Sequence, residues 1–398
     1  MSDHSELSAY PPFQLIVDSC RQEADPNVQD LICHTLQASG SNRIRDLSVL
    51  ASRHGVLPLV YKTLSNLPGT VHSSSRLLSK LESAYQTIAR RNMLLSAELL
   101  RIVRLFESSG ITCLPFKGPT LALRAYGDIT LRQYGDLDLL VPPEQISEAA
   151  EILSAHGYRS FGSLTLLNDP VWLEAAKDMV FQHQKSGVVV ELHWKLFHRT
   201  FADARTQARL WTQPDQLTLQ RHTLPVLPDE TLLTYLCIHG ARHLWERLEW
   251  IVDIDRLIRN RPIDWAAVDI QAETFRARKM LYLALSLSHR FFTTPLPEEI
   301  LRRIRNKKIR RLTETSALLV EKPISSTPSL RELLLRHRLH AAMQETPARK
   351  IQYWRDLLFM KNYTAILKKN DEREETSLYD PIRPLRLIGK FLFRIGRS

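Results

Sequence analysis

Cysteine is scarce in this 398-residue chain, and Cys20, Cys33, Cys113 and Cys237 stand in separate segments with no CxxC spacing. That excludes a disulfide scaffold and a zinc knuckle, and it favours a reducing cytoplasm. No run of about 18 apolar residues occurs, and the opening MSDHSELSAYPPF lacks a basic stretch leading into an apolar one. The expectation is a cytoplasmic protein, neither secreted nor membrane-spanning. No internal repeat is visible. What is present, 44% hydrophobic and 24% charged residues, suits a globular chain long enough for two or three cores.

Charge is unevenly placed. Residues 301–398 hold 23 Lys/Arg against 10 Asp/Glu, a net +13, leaving 31 against 33, a net −2, for the first 300. The basicity therefore belongs to the C-terminal quarter, in RRIRNKKIRR (302–311) and the closing RPLRLIGKFLFRIGRS. In the latter, Leu385, Ile388, Leu392 and Ile395 form one stripe and Arg386, Lys390, Arg394 and Arg397 another. Such a helix lies on an anionic membrane, binds a partner, tracks nucleic-acid phosphates, or simply docks on its own domain. Interleaved aromatics and a known nucleic-acid motif are lacking, so specific DNA recognition is not expected.

Apolar periodicity divides the chain in three. Residues 1–110 read as helical, through LICHTLQ, GVLPLVYKTL and a long element from about Ser75 to Ser108. In that element Leu77, Leu81, Tyr85, Ile88, Leu95, Leu99, Ile102 and Phe106 recur at helical spacing. Residues 111–228 read as a small α/β module: strand ITCLPF, helix GPTLALRAYG, strand DLDLLV, helix PPEQISEAAEILSAHG, then a hairpin of MVFQHQ and VVVELHWKLF. Residues 229–398 read as helical again, interrupted by loop-like EKPISSTPS (321–329) and DEREETSLYDP (371–381).

Chemistry concentrates in the module. Asp136 and Asp138, two apart on a strand, project to one face while Leu137 and Leu139 point inward. Two carboxylates side by side are costly unless a cation sits between them. Magnesium takes hard oxygen ligands of this kind together with substrate phosphates. Glu191, alternating with Val190 and Leu192, shares a face with His193 and supplies a third carboxylate. Three carboxylates on adjacent strands suit two metal ions in phosphoryl-type transfer. Lys117 and Gly118, at a strand-to-helix junction, favour anions, and Arg132 offers a second positive contact for a triphosphate.

These pieces, in the order KGP, Arg132, GDLDLLV, hairpin and VELHWKL, resemble the nucleotidyltransferase superfamily whose archetype is DNA polymerase beta. More narrowly they resemble the bacterial nucleotidyltransferase family 5, as do GVLPLVYKTL (55–64) and CIHGARHLWERLEWIVDIDRLI (237–258). The resemblance implies an α+β fold with a polymerase-beta-like core and a small mixed sheet flanked by helical regions. It implies transfer of a nucleoside monophosphate from an NTP, ATP among them, to an unidentified acceptor. Mg2+ (two ions, or Mn2+ in its place) would be held by Asp136, Asp138 and Glu191. The superfamily's Gly-Ser before the carboxylate pair is here Lys117-Gly118-Pro119-Thr120, so the serine's phosphate contact passes to Thr120, Lys117 or backbone groups. That departure leaves room for an inactive nucleotide-binding scaffold. KGPT is also similar, more weakly, to the lysine- or glycine-rich loop of abortive-infection-type nucleotidyltransferase toxins, and the basic C-terminal quarter suggests as an alternative a toxin-like enzyme acting on RNA or a peptide.

His239, His243, Glu246, Trp250 and Asp253 fall on one face of a single expected helix. HEXXH is absent and no third ligand is evident, which argues against zinc. This polar face either lines the cleft opposite the carboxylates or holds the helix on the module.

Overall fold

The computed structural model describes residues 11–22, 30, 32, 41–67, 75–197, 201–202, 204–321 and 329–359. LICHTLQ apart from Ile32, with Cys33, lies outside the described residues. So do the side chain of Leu77, the 322–328 and 371–381 segments, and the closing basic stripe of 382–398. No helix among the described residues is long and apolar enough to cross a membrane.

Four helices open the described chain: α1 (Pro12–Ser19), α2 (Ser41–Arg53), α3 (Leu57–Ser65) and the long α4 (Ser75–Ser108). The expected stripe of α4 turns inward, with Leu81, Leu95, Leu99, Ile102 and Phe106 buried. Each such side chain contributes roughly 1.5–3 kcal/mol by leaving water.

The module follows as β1 (Leu114–Pro115), α5 (Gly118–Tyr126), β2 (Asp136–Leu140), α6 (Ile146–Ala155), β3 (Tyr158–Ser160), α7 (Pro170–Ala175), β4 (Asp178–His183) and β5 (Val189–His193). The sheet order is β1-β2-β5-β4-β3, with β2 parallel to β5 and the other neighbours antiparallel. This is a mixed α+β architecture with a small mixed sheet. The strand read at 111–116 shrinks to two ladder residues, because Ile111 N–H bonds back to Phe106 O and Thr112 N–H to Gln145 Oε1. Next come α8 (Ala204–Ala208) and an unforeseen hairpin of β6 (Asp215–Leu219) and β7 (His222–Val226).

The remaining helices are α9 (Asp229–Arg242), α10 (Glu249–Asn260), α11 (Trp265–Thr274), α12 (Arg278–Phe292), α13 (Glu298–Ile304), α14 (Lys307–Glu321), α15 (Leu330–Ala342) and α16 (Pro347–Phe359). Here the single helix expected to carry His239 through Asp253 is corrected. It breaks after Arg242, where Leu244 and Trp245 take left-handed φ of 52° and 57°. Trp245 folds back into space that only a glycine leaves open, since a Cβ on Gly240 would meet its ring at 2.1 Å. RRIRNKKIRR likewise straddles two helices, α13 and α14, with Arg303 and Arg305 paired to Glu299 and Glu298.

Two cores sandwich the sheet. Leu137, Leu139, Val190 and Leu192 pack with α4 and α6 on one side. Leu114, Phe116 and Leu140 join the larger core of α1, α3, α5, α9, α10 and α12 on the other. The strand face carrying Asp136 and Asp138 therefore looks toward α9 and α10, and a cleft opens between them.

Candidate active site

The cleft measures about 820 Å³, and its lining includes Lys117, Arg132, Asp136, Asp138, Glu191, His239, His243 and Asp253. Parallel register sets Asp138 directly across from Glu191, and Leu140 across from His193. Asp138 is 2% exposed, whereas the Glu191 side chain is 30% exposed, so one carboxylate is walled in and the other meets cleft water.

Asp138 Oδ1 faces Lys117 Nζ at 2.7 Å and His193 Nε2 at 3.3 Å. His193 Nε2 also stands 3.4 Å from Glu191 Oε2, and its Nδ1 stands 3.6 Å from Asp178 Oδ2. Burial alone would raise the Asp138 pKa, but the Lys117 ammonium and His193 outweigh it and hold the carboxyl well below its usual range. Burial opposes the Lys117 charge as well, and Asp138 overrides it, holding the ammonium above its ordinary value. Asp136 moves the other way: burial and the neighbouring Asp138 raise it.

The residues present fit a divalent cation. Asp138 Oδ2 is buried and has no hydrogen-bond partner, an expensive state for a carboxylate oxygen. Asp138, Glu191 and His193 each offer a donor atom, all within 4.8 Å of one another. Two carboxylates suit Mg2+, and the imidazole adds a nitrogen better accepted by Mn2+. Asp136 lines the same cleft but is not among the three, and His193, not expected as a ligand, joins Asp138 and Glu191 there.

The turn before α5 is tight. Gly118 has φ +53°, and a Cβ there would come within 3.2 Å of Asp136 O. Thr120 does not reach the cleft: it is buried, and its hydroxyl donates to Lys117 O at 2.9 Å. Arg132 lines the cleft but is already engaged, its Nε and Nη2 donating to Asp253 Oδ1 and Oδ2 at 2.8 and 2.9 Å. Tyr126 donates its hydroxyl to the same Asp253 Oδ1 at 2.7 Å. Helix α4 secures the loop between α5 and β2, through Asn92 to Ile129 O and Arg132 O, Tyr85 to Thr130, and Arg91 to Gly135 O.

Although the helix breaks, His239, His243 and Trp250 still converge. Their ring centroids lie 4.6 to 5.5 Å apart, and Tyr235 stacks on His239 at 5.7 Å. Burial and the nearby Lys117 hold His239 well below its normal pKa, which favours the neutral ring. Glu246 leaves this group and pairs with Arg336.

Sequence reading missed Lys177 and Asp178, which pair with each other beside His193. Hairpin arithmetic could have found them, since antiparallel pairing of Gln182 with Val189 carries Asp178 to His193. It also missed Arg91 and Arg242, lining cations with no carboxylate partner among the described residues.

A search of curated proteins finds no match to the chain. Among solved structures it is similar to the antibiotic-resistance factor ANT(2'')-Ia in solution, with 14% identity and a TM-score of 0.35, over 50% of this chain and 98% of that one. The family model described as an uncharacterised nucleotidyltransferase matches residues 41–293, a span that takes in the KGP turn, both carboxylate strands and the α9–α10 wall of the cleft. The chain belongs to that family of nucleotidyltransferases.

Proposed function

We propose that the protein moves a nucleoside monophosphate from an NTP to an acceptor hydroxyl or phosphate in this cleft, with Mg2+ or Mn2+ as its ion. The observation that carries the reading is Asp138, opposed to Glu191 across parallel strands, with one buried oxygen lacking any partner. Asp138, Glu191 and His193 would hold an ion, and Asp136 is the carboxylate left for the expected second one. When bound, the cation neutralises phosphate charge and favours ionisation of the attacking group. Residues 111–228 would form the polymerase-beta-like core, between the helical regions 1–110 and 229–398, in a cytoplasmic protein.

Within that reading the chain's own residues divide the work. Glu191, the more exposed carboxylate, orients the acceptor hydroxyl and takes its proton. Lys117, with Arg91 and Arg242, meets the triphosphate, while Gly118 lets the turn lie close to β2. Arg132 holds Asp253 and with it the α10 wall. Tyr235, His239, His243 and Trp250 give an aromatic surface on which a base stacks. The basic C-terminal quarter would contact an anionic acceptor, nucleic acid or a membrane surface.

Labelled NTPs, Mg2+ and cell extract should mark an acceptor in the presence of the protein, and Asp138→Asn should abolish the mark. Labelling that persists in that variant would sink the assignment. Thr120, with its hydroxyl turned into its own turn, favours a second reading, a scaffold that binds NTP without turnover. Calorimetric NTP binding without pyrophosphate release across many acceptors would select it.

A further inference from the structure

In a nucleotidyltransferase, the 2.7 Å contact between Lys117 and Asp138 poses a conflict. Lys117 follows Phe116, whose N–H bonds Asp138 O at 3.3 Å, so the lysine's backbone is anchored to the strand that carries its partner. Its side chain is 14% exposed, and the ammonium lies 5.9 Å from the ring centroids of both Phe116 and Tyr235. The positive charge that Asp138 requires is thus supplied from within the chain. A divalent cation on Asp138 Oδ2, Glu191 and His193 would share that carboxylate with a full positive charge, and like charges so close and so buried repel strongly. Triphosphate oxygens offer the ammonium another partner.

We infer, on the basis of the nucleotidyltransferase reading, that Lys117 is a placeholder for the divalent cation. Its ammonium holds Asp138 in the nucleotide-free protein and passes to a phosphate of the incoming NTP, so that cation and nucleotide enter together and the cation alone binds poorly. The exchange makes and breaks only ion pairs.

Mn2+ titration of the nucleotide-free full chain, followed by electron paramagnetic resonance, tests this directly. Lys117→Gln should bind Mn2+ about tenfold or more tightly than wild type, and Lys117→Arg should not. Equal affinities for wild type and Lys117→Gln would overturn the proposal. So would tight Mn2+ binding by the wild type alone, a measurement that stands even where Lys117→Gln fails to fold. A second arm uses a fluorescent ATP analogue in EDTA. Asp138→Asn, which frees the lysine, should bind it more tightly than wild type, and the gain should vanish in Asp138→Asn/Lys117→Gln. A gain that survives in the double variant would equally overturn the role of Lys117. Should no form bind the analogue, with or without Mn2+, the nucleotidyltransferase reading fails instead, while the Mn2+ titration still decides what Lys117 does.

Discussion

Replacing Asp253 by alanine removes the one carboxylate that Arg132 touches among the described residues. The pair is bidentate at 2.8 and 2.9 Å, and its side chains are 7% and 0% exposed. An exposed pair would be worth about 0.2–1 kcal/mol. Here the loss strands a guanidinium in the interior and takes the acceptor of the Tyr126 hydroxyl as well, so the cost should reach about 3–5 kcal/mol. Arg132→Met should destabilise by a similar amount, because Asp253 is then left buried and uncompensated. The double variant Arg132→Met/Asp253→Leu should cost less than the two single changes together, since neither charge remains. Urea unfolding of the four proteins, followed by tryptophan fluorescence, measures each term and the coupling, and NTP affinity is measured on the same samples. If Arg132→Met left the urea midpoint in place while weakening NTP binding tenfold or more, the structural assignment would be wrong. Arg132 would then be the triphosphate contact that its position before GDLD first suggested.

Glu249 provides a pH test. Burial pushes its carboxyl up to about 7 from an ordinary 4.5, against the lowering effect of Arg247 and Arg132 and with the raising effect of Asp253 and Asp136. The folded state therefore keeps this proton better than the unfolded chain, so the contribution is fully present below pH 4.5 and lost as pH rises through 7. Wild type should lose about 3 kcal/mol relative to Glu249→Gln across that window, and parallel stability curves would refute the shift. Gly240→Ala places a Cβ 2.1 Å from the Trp245 ring, so Tm should fall by the equivalent of about 1–3 kcal/mol. An unchanged Tm would show that the break after α9 does not depend on that contact. Thr120→Val should cost about 1 kcal/mol of stability through the lost bond to Lys117 O. NTP affinity should stay within twofold of wild type, and a larger loss would place the hydroxyl on the nucleotide.

Much of the site was legible because its signals are local. Two-residue alternation puts Asp136 and Asp138 on one strand face and Glu191 with His193 on another, and the short KSG connection announces the hairpin. What alternation cannot supply is which strand lies beside which. The parallel pairing of β2 with β5, which sets Asp138 across from Glu191, joins residues more than fifty positions apart. Non-local packing also decided the fate of Arg132. Nothing near it in sequence says that Asp253, on a helix far down the chain, will take both of its donors. The β6–β7 hairpin escaped notice for a different reason: its turn places Gln220 at φ 56° without the glycine or asparagine that usually marks such a position. The helix break at Leu244 and Trp245 was hidden in the same way, since its cause is the fit of a tryptophan ring against Gly240, not a helix-stopping residue. The two aspartates of GDLD posed a question of charge, and Lys117 answers part of it. Sequence reading set that lysine aside for phosphate and left the carboxylates to a metal, because it treats neighbouring motifs as separate ligands. In the folded chain the same ammonium lies 2.7 Å from Asp138 Oδ1, where the two readings meet, and under the proposed exchange the occupancy of Asp138 would change when NTP binds. Under that proposal cation affinity would belong to the Lys117–Asp138 pair, and counting carboxylates along the sequence would not give it.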